Sequence, residues 1–160
     1  MKTLILYYSY TGNTRKIAKM IAEKIDSDLV EIKTVMPYEG SYDDVVNQAQ
    51  REVNSGFHPE IFPLDVNMKD YDTVILGSPV WWYTYAPAVA TTLSQLSLER
   101  KTVYPFATNA GWLGHTFQDV SKACVNANVQ KGLNVRFDEN RLITSNAEID
   151  KWIESMHEEV

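Results

Sequence analysis

The sequence predicts an α/β domain with one mostly parallel sheet and helices on both of its faces. Short apolar runs of strand length alternate five times with segments whose apolar residues recur at helical spacing. The first run, Leu4 to Tyr8, is apolar throughout, as expected for a parallel strand covered on both faces. No repeat, linker or low-complexity tract interrupts the alternation, so we expect residues 1–160 to form a single domain.

The predicted strands are short and end in turn residues. The third strand is expected to close at Gly77-Ser78-Pro79, and the fifth has residues 142–143 as a candidate extension. The predicted strands are 4–8, 29–32, 73–76, 101–107 and 133–137.

The predicted helices begin at recognisable N-terminal signals. Ser41 with Asp44, Thr116 with Asp119, and Ser145 with Glu148 have the spacing of capping pairs, and Pro87 stands at a first-turn position. The expected inner faces carry apolar stripes: Ile17, Met20, Ile21 and Ile25; Val45, Ala49 and Val53; Phe117, Val120, Cys124 and Ala127; Ile149, Trp152, Ile153 and Met156.

Composition limits the class of protein. The chain has 160 residues, 44% hydrophobic and 22% charged, which suits one globular domain. Its N-terminal apolar run is too short for a signal peptide and no stretch could span a bilayer, so we expect no membrane association. A single cysteine suits a reducing cytoplasm, where we expect the protein to work. The net charge of −6 argues against nucleic acid and would favour a basic protein partner.

The most informative segment lies between the first strand and the first helix. It reads Ser9-Tyr10-Thr11-Gly12-Asn13-Thr14. The N–H groups of a helix's first turn have no intrahelical acceptor, and the helix dipole favours an anion there. Hydroxyl groups add donors, and glycine lets the backbone come close. The segment therefore predicts a phosphate site, although a plain capped turn is the competing interpretation.

Two common nucleotide motifs are absent from this segment. It lacks the Gly-Lys-Ser/Thr ending of ATP and GTP loops, and it lacks the Gly-x-Gly-x-x-Gly pattern of dinucleotide sites. A single phosphate monoester is the ligand that best matches the segment. A phosphoacceptor receiver is excluded as well, because Tyr7-Tyr8-Ser9 and Gly77-Ser78 stand where that class needs acidic residues.

The segment resembles the phosphate loop of flavodoxins, and the five-fold alternation fits flavodoxin topology along essentially the whole chain. The resemblance implies a flavodoxin-like three-layer αβα sandwich with five parallel strands in the order 2-1-3-4-5. It also implies that residues 9–14 hold the phosphate of flavin mononucleotide (FMN). The flavin position, at the switch point of the sheet, is likewise carried over from the family.

Two further loops are expected at the same sheet edge, because parallel strands end on one side. Flat aromatic side chains can stack on the isoalloxazine ring, so Trp81, Trp82, Tyr83 and Trp112 are the stacking candidates, with Trp81 or Tyr83 preferred. Adjacent tryptophans on an extended segment point oppositely, so one of them should pack inward. The predicted cofactor-binding residues here are Ser78, Pro79, Val80, Trp81, Trp82 and Tyr83, and Thr108, Asn109, Ala110, Gly111, Trp112 and Gly114.

The resemblance favours a low-potential electron carrier that serves a reductase and an acceptor protein, as a monomer or weak dimer. Pro79-Val80-Trp81-Trp82 resembles the corresponding loop of a branch that includes quinone-reductase-like relatives. In that branch the fourth-strand loop is a run of small residues, whereas this chain has Asn109-Ala110-Gly111-Trp112. The resemblance of residues 79–82 to that branch makes an FMN-dependent NAD(P)H oxidoreductase the alternative function.

The remaining reactive residues receive modest roles. His115 could donate a proton or a hydrogen bond to the flavin, but a histidine beside a helix start is more often an exposed neighbour of the cap. Cys124 lies on a helix stripe and is interpreted as core. Arg15 and Lys16 are expected to face solvent. Neither His58 nor His157 has ligand partners at metal spacing, so no metal site is predicted.

Overall fold

A sheet with five long strands organises the chain in the computed structural model, which describes residues 2–157. The strands are β1 (Lys2–Tyr8), β2 (Asp28–Ile32), β3 (Tyr71–Trp81), β4 (Thr84–Tyr85), β5 (Thr102–Asn109), β6 (Asn128–Val129), β7 (Leu133–Asp138) and β8 (Arg141–Leu142). The helices are α1 (Asn13–Ala22), α2 (Tyr42–Ser55), α3 (Pro87–Gln95), α4 (Thr116–Ala123) and α5 (Asn146–Ser155), with a 3-10 turn at Met68–Asp70.

The predicted strand order is confirmed. The long strands lie in the order β2-β1-β3-β5-β7, and each neighbouring pair is parallel. In the numbering of the predicted strands this is 2-1-3-4-5. Two two-residue strands were not predicted: β4 pairs antiparallel with β3, and β6 pairs parallel with β5. The candidate extension at 142–143 is found in part as β8, a separate strand that pairs antiparallel with β7. Each is too short to show a hydrophobic period of its own.

Two apolar layers cover the sheet, which confirms the αβα sandwich. On β1, Leu4, Leu6 and Tyr8 belong to one layer, and Ile5 and Tyr7 to the other. Residues of α2, α3 and α4 pack in the first layer, and residues of α1 and α5 pack in the second. A run that is apolar at every position is what such two-sided burial requires.

The third strand is longer than predicted. It does not close at Gly77-Ser78-Pro79 but continues through these residues to Trp81. Gly77 is needed for packing here, since a Cβ at this position would lie 2.1 Å from the ring of Phe106. The segment that the sequence predicted as a long loop is therefore the distal part of a strand followed by a tight hairpin.

The helix predictions are confirmed in outline and wrong in two details. On the inner face of α2, Glu52 is buried (8% exposed) while Val53 is only half-buried. The predicted Thr116–Asp119 pair does not form: the N-cap is His115, and Thr116 Oγ1 donates to the Leu113 carbonyl at 2.7 Å. Ser41 and Ser145 do cap α2 and α5 as predicted.

Among the described residues, no helix has both the length and the apolar character needed to cross a membrane.

Candidate functional site

A cleft of about 970 Å³ opens at the carboxyl edge of the sheet. Four segments form its walls: the turn before α1, the end of β3 with its hairpin, the end of β5 with the residues after it, and the turn between β7 and β8. The N-terminal half of α2 closes one side. A cleft at the edge of an open α/β sheet is where such folds bind ligands.

The turn before α1, residues 9–14, is the segment predicted to bind phosphate; we call it the phosphate turn. Gly12 has φ +102°, a left-handed conformation that favours glycine, and it stands at the N-cap of α1 without a side-chain cap. Within residues 2–157, the N–H groups of Thr11, Asn13 and Thr14 find no acceptor. They are unpaired donors at the positive end of a helix dipole.

The Ser9 side chain organises the backbone of this turn. Its Oγ accepts from the N–H groups of Gly12 and Arg15, each at 3.2 Å. No described atom accepts the Ser9 hydroxyl proton, so that proton is available to a ligand. Ser9 therefore both orders the turn and adds a donor to it.

The phosphate turn is fastened to distant strands. Thr14 is buried, and its Oγ1 lies 2.7 Å from Oγ1 of Thr108 at the end of β5. Asn13 Nδ2 donates to the Glu139 carbonyl at 2.8 Å. The two contacts hold the turn against the strand ends that form the other walls of the cleft.

Arg15 does not simply face solvent, which corrects the prediction. Its guanidinium pairs with Glu31 on β2, with Nε 2.8 Å and Nη2 2.5 Å from Oε1. This pairing raises the pKa of Arg15. Arg15, the first residue after the phosphate turn, is thus engaged by a carboxylate, while Lys16 is exposed as expected.

Trp81 is the inward tryptophan of the pair. Its ring packs edge-on against three tyrosines, Tyr8, Tyr10 and Tyr38, with ring centroids 4.9–5.8 Å away. Behind it, the Tyr38 hydroxyl donates to Oε1 of the buried Glu52 at 2.7 Å. Burial and this bond raise the pKa of Tyr38, and burial raises the pKa of Tyr8. The cluster is a rigid, uncharged base for one wall of the cleft.

The hairpin that follows has an unusual tip. Trp82 and Tyr83 connect β3 to β4 with φ +52° and +69°. Two-residue hairpin turns of this kind normally use Asn or Gly, and each bulky residue in this region costs about 1–2 kcal/mol. Trp82 Nε1 donates to the Val46 carbonyl at 3.0 Å, which ties the tip to α2.

The hairpin tip rests on the segment before α4. The N–H of His115 donates to the Tyr83 carbonyl at 2.8 Å. Gly114, at φ +61°, lies so close that a Cβ on it would be 2.4 Å from the Tyr83 carbonyl oxygen. Trp112, in the same segment, is 67% exposed at the rim of the cleft.

Most of the predicted binding residues meet in this cleft. Those that line it are Tyr10, Thr11, Asn13, Pro79, Val80, Trp81, Trp82, Tyr83, Thr108, Asn109, Ala110 and Trp112. The others do not line it: Ser9, Gly12, Thr14, Ser78, Gly111 and Gly114. Ser78, for example, is buried and accepts from the Ala86 N–H at 2.9 Å, which closes the base of the hairpin.

Two parts of the lining were not predicted. The residues are Tyr42, Val45, Val46 and Ala49 on α2, and Phe137, Asp138, Glu139 and Asn140 after β7. The rule that parallel strands end on one side applies to the fifth strand as well, and it would have found the second group. The first group had no local signal, because its contact with the cleft depends on how α2 packs.

The other candidate residues remain outside the lining. His115 is exposed, and its Nδ1 pairs with Asp119 Oδ2. Cys124 is buried, which raises its pKa to about 11 and supports its interpretation as core. Over residues 2–157 no group of histidine, cysteine and acidic side chains is arranged to hold a metal ion.

Comparison with known proteins places the chain among flavoproteins. The family model described as flavodoxin matches residues 2–156. A search of curated proteins found no match.

Solved structures support the same assignment. A flavoprotein of Lactobacillus acidophilus NCFM, solved in complex with FMN, is 31% identical, with a TM-score of 0.76, 94% of this chain and 97% of that chain covered. A protein of Bacteroides eggerthii with a provisional flavoprotein assignment is 28% identical, with a TM-score of 0.82 and 98% of each chain covered. A WrbA-like flavodoxin of Agrobacterium tumefaciens, at 14% identity and a TM-score of 0.58, shares the fold, with 95% of this chain and 90% of that chain covered.

Proposed function

The chain belongs to the flavodoxin family, and from that premise we propose that it binds FMN in the cleft and carries electrons between redox proteins. The similar Lactobacillus flavoprotein, which was solved with FMN, supports this choice of cofactor. The observation that carries the proposal is the phosphate turn, where three backbone N–H groups and the Ser9 hydroxyl proton are unclaimed by the described residues.

The phosphate turn fits a phosphate monoester. The N–H groups of Thr11, Asn13 and Thr14 would donate to it, and so would the Ser9 hydroxyl. Arg15, which follows the turn in sequence, is paired with Glu31 and is therefore not among the proposed phosphate donors. The helix dipole supplies the favourable charge.

The remaining walls fit a flat ring system. Trp82, Tyr83 and Trp112 present exposed aromatic surface to the cleft, and Tyr10 stands beside the phosphate turn. Bound FMN would supply one- and two-electron redox chemistry. The protein's part is to bind the phosphate, orient the ring between these side chains and limit the access of water.

The rim of the cleft suits contact with another protein. Asp138 and Glu139 line one side, and Tyr42, 83% exposed, stands beside Asp43 and Asp44 at the start of α2. Acidic groups around exposed aromatic surface favour a partner with a basic rim and an apolar centre. This supports a carrier that docks onto larger redox enzymes.

Titration of the apoprotein with FMN and with riboflavin tests the binding proposal. Riboflavin lacks the phosphate, so we expect its affinity to be lower by about a hundredfold, which corresponds to about 2.7 kcal/mol of phosphate contacts. Quenching of flavin fluorescence measures both constants. Protein that fails to bind FMN, or that binds both flavins equally, would contradict the proposal.

A kinetic assay separates the carrier from the NAD(P)H-dependent reductase. The FMN-loaded protein is mixed with NADH or NADPH and a quinone, with and without an added reductase. A carrier should turn over only when the reductase is present. Turnover without it would assign the protein to the reductases and reject the carrier role.

A further inference from the structure

The hairpin tip formed by Trp82 and Tyr83 is held by a side chain that lies outside the cleft. Asp119 is in the first turn of α4, and its Oδ2 accepts from Thr84 Oγ1 at 2.6 Å. The same oxygen pairs with Nδ1 of His115. Asp119 therefore joins the strand after the tip to the residue that precedes α4.

His115 completes the connection through its main chain. Its N–H donates to the Tyr83 carbonyl at 2.8 Å, and Gly114 packs directly against the Tyr83 backbone. The tip is therefore joined to the segment before α4 directly, by the backbone bond between His115 and Tyr83, and indirectly, by Thr84 through the Asp119 carboxylate. Trp82, Tyr83 and Trp112 all line the cleft. The Asp119 carboxylate therefore links the two segments that carry these side chains, the hairpin tip and the segment 110–115.

We propose that Asp119 is a positioning residue that fixes the aromatic hairpin and the segment 110–115 relative to each other, so that they accept a flat ring. The inference rests on the proposed binding of FMN in the cleft. Asp119 does not line the cleft and acts through Thr84 and His115. Two adjacent bulky residues at positive φ persist only where surrounding contacts determine them. Asp119 bonds to Thr84, which follows the tip, and to His115, whose N–H donates to the Tyr83 carbonyl.

The first test uses the apoprotein and needs no flavin. Exchange of the His115 amide proton, measured by NMR, reports on its bond to Tyr83. We expect Asp119→Ala to accelerate this exchange about tenfold while the amides of β1 keep their protection. Asp72→Ala is the matched control, because Asp72 also accepts from a threonine, Thr73 at 3.3 Å, but lies at the start of β3. It should leave His115 exchange unchanged.

The second test measures flavin affinity. A residue that positions the ring surfaces should weaken FMN and riboflavin by the same factor, and we expect about tenfold for Asp119→Ala. The visible absorption bands of the bound flavin should shift in the variant. Asp119→Asn retains an acceptor for Thr84 and should recover most of the loss.

Failure of flavin binding and failure of the Asp119 positioning role give different results. If the unmodified protein binds no flavin, the proposed function fails, and the exchange measurement alone judges the local role of Asp119. If it binds FMN and Asp119→Ala retains both affinities and the same absorption bands, the positioning role is overturned. A loss confined to FMN would also overturn it, because that would place Asp119's effect at the phosphate.

Discussion

The two ends of the cleft are ordered by different means. The phosphate turn gets its internal shape from local bonds, because the Ser9 hydroxyl accepts from the Gly12 and Arg15 N–H groups. Two distant bonds, from Thr14 and Asn13, only hold the finished turn against other strand ends. The aromatic end is non-local. Its hairpin tip depends on Gly114, His115 and Asp119, about thirty residues farther along the chain.

This difference separates what a motif can encode from what a fold must supply. A phosphate has the same shape in every ligand, so a short motif is enough to bind it. A ring needs surfaces placed at a fixed spacing, and here that spacing is set by contacts between segments that are distant in sequence. We therefore expect the aromatic end to be the more sensitive to changes far from the ligand.

Gly114→Ala should give the largest effect. The added Cβ would meet the Tyr83 backbone at 2.4 Å, in addition to the cost of an alanine at φ +61°. We expect a loss of about 3 kcal/mol in the free energy of unfolding, measured with urea on the apoprotein.

Gly56→Ala is the matched control for that substitution. Gly56 ends α2 at φ +68°, and a Cβ there would have no heavy atom within 4 Å. Only the cost of an alanine at positive φ applies, so we expect a loss of about 1 kcal/mol in the free energy of unfolding. Equal losses at the two glycines would show that the contact with Tyr83 does not constrain the hairpin.

Ser9→Ala tests the local end. The substitution removes the acceptor for the Gly12 and Arg15 N–H groups and the donor to the phosphate. We expect FMN affinity to fall about thirtyfold, or about 2 kcal/mol, while riboflavin affinity stays the same. Isothermal titration measures both. Ser97→Ala, at a serine that accepts from Glu99 N–H far from this turn, is the control. An equal loss for both flavins would mean that Ser9 also shapes the ring site.

Tyr38→Phe tests the aromatic base that joins the two ends, since Tyr38 packs on both Tyr10 and Trp81. At neutral pH, removing the bond to Glu52 should cost about 1–2 kcal/mol.

The difference in stability between the unmodified protein and Tyr38→Phe should change with pH. The pKa of Tyr38 is raised in the folded protein, so its contribution to stability is present below about pH 10 and is lost as the pH rises above that value. Stability of the unmodified protein should fall by up to about 1.4 kcal/mol per pH unit from this group. The deficit of Tyr38→Phe should therefore narrow by pH 11 in urea unfolding. A constant deficit across this range would show that Tyr38 ionises normally in the fold.

The features that the sequence predicted correctly are those with a local physical signal. The first predicted strand, 4–8, is apolar at every position because both of its faces are buried, and the caps at Ser41 and Ser145 have the correct spacing on their own. The hypothesis of a phosphate site at residues 9–14 also rests on a local signal. The hydroxyls, the glycine and the start of a helix are neighbours in the chain.

The features that the sequence missed depend on tertiary contacts. Gly77-Ser78-Pro79 resembles a turn, but Gly77 accommodates Phe106 of the adjacent strand and the strand continues. Asp119 has the spacing of a capping partner for Thr116, yet it is bonded to Thr84 across the molecule. Glu52 is buried because Tyr38 and Gln48 supply its hydrogen bonds. For Phe106 and for Thr84, the partner lies too far along the chain for any local pattern to show it.

The hydrogen bond from Asn13 to the Glu139 carbonyl joins positions 126 residues apart. The cleft thus has walls drawn from nearly the first and nearly the last elements of the chain, and an unfolded chain contains no part of it. Any ligand of the cleft is consequently linked to folding as a whole. At a free concentration one hundred times its dissociation constant, a ligand would add about 2.7 kcal/mol to the stability of the native state. The stability of this protein should therefore depend on how much cofactor is supplied.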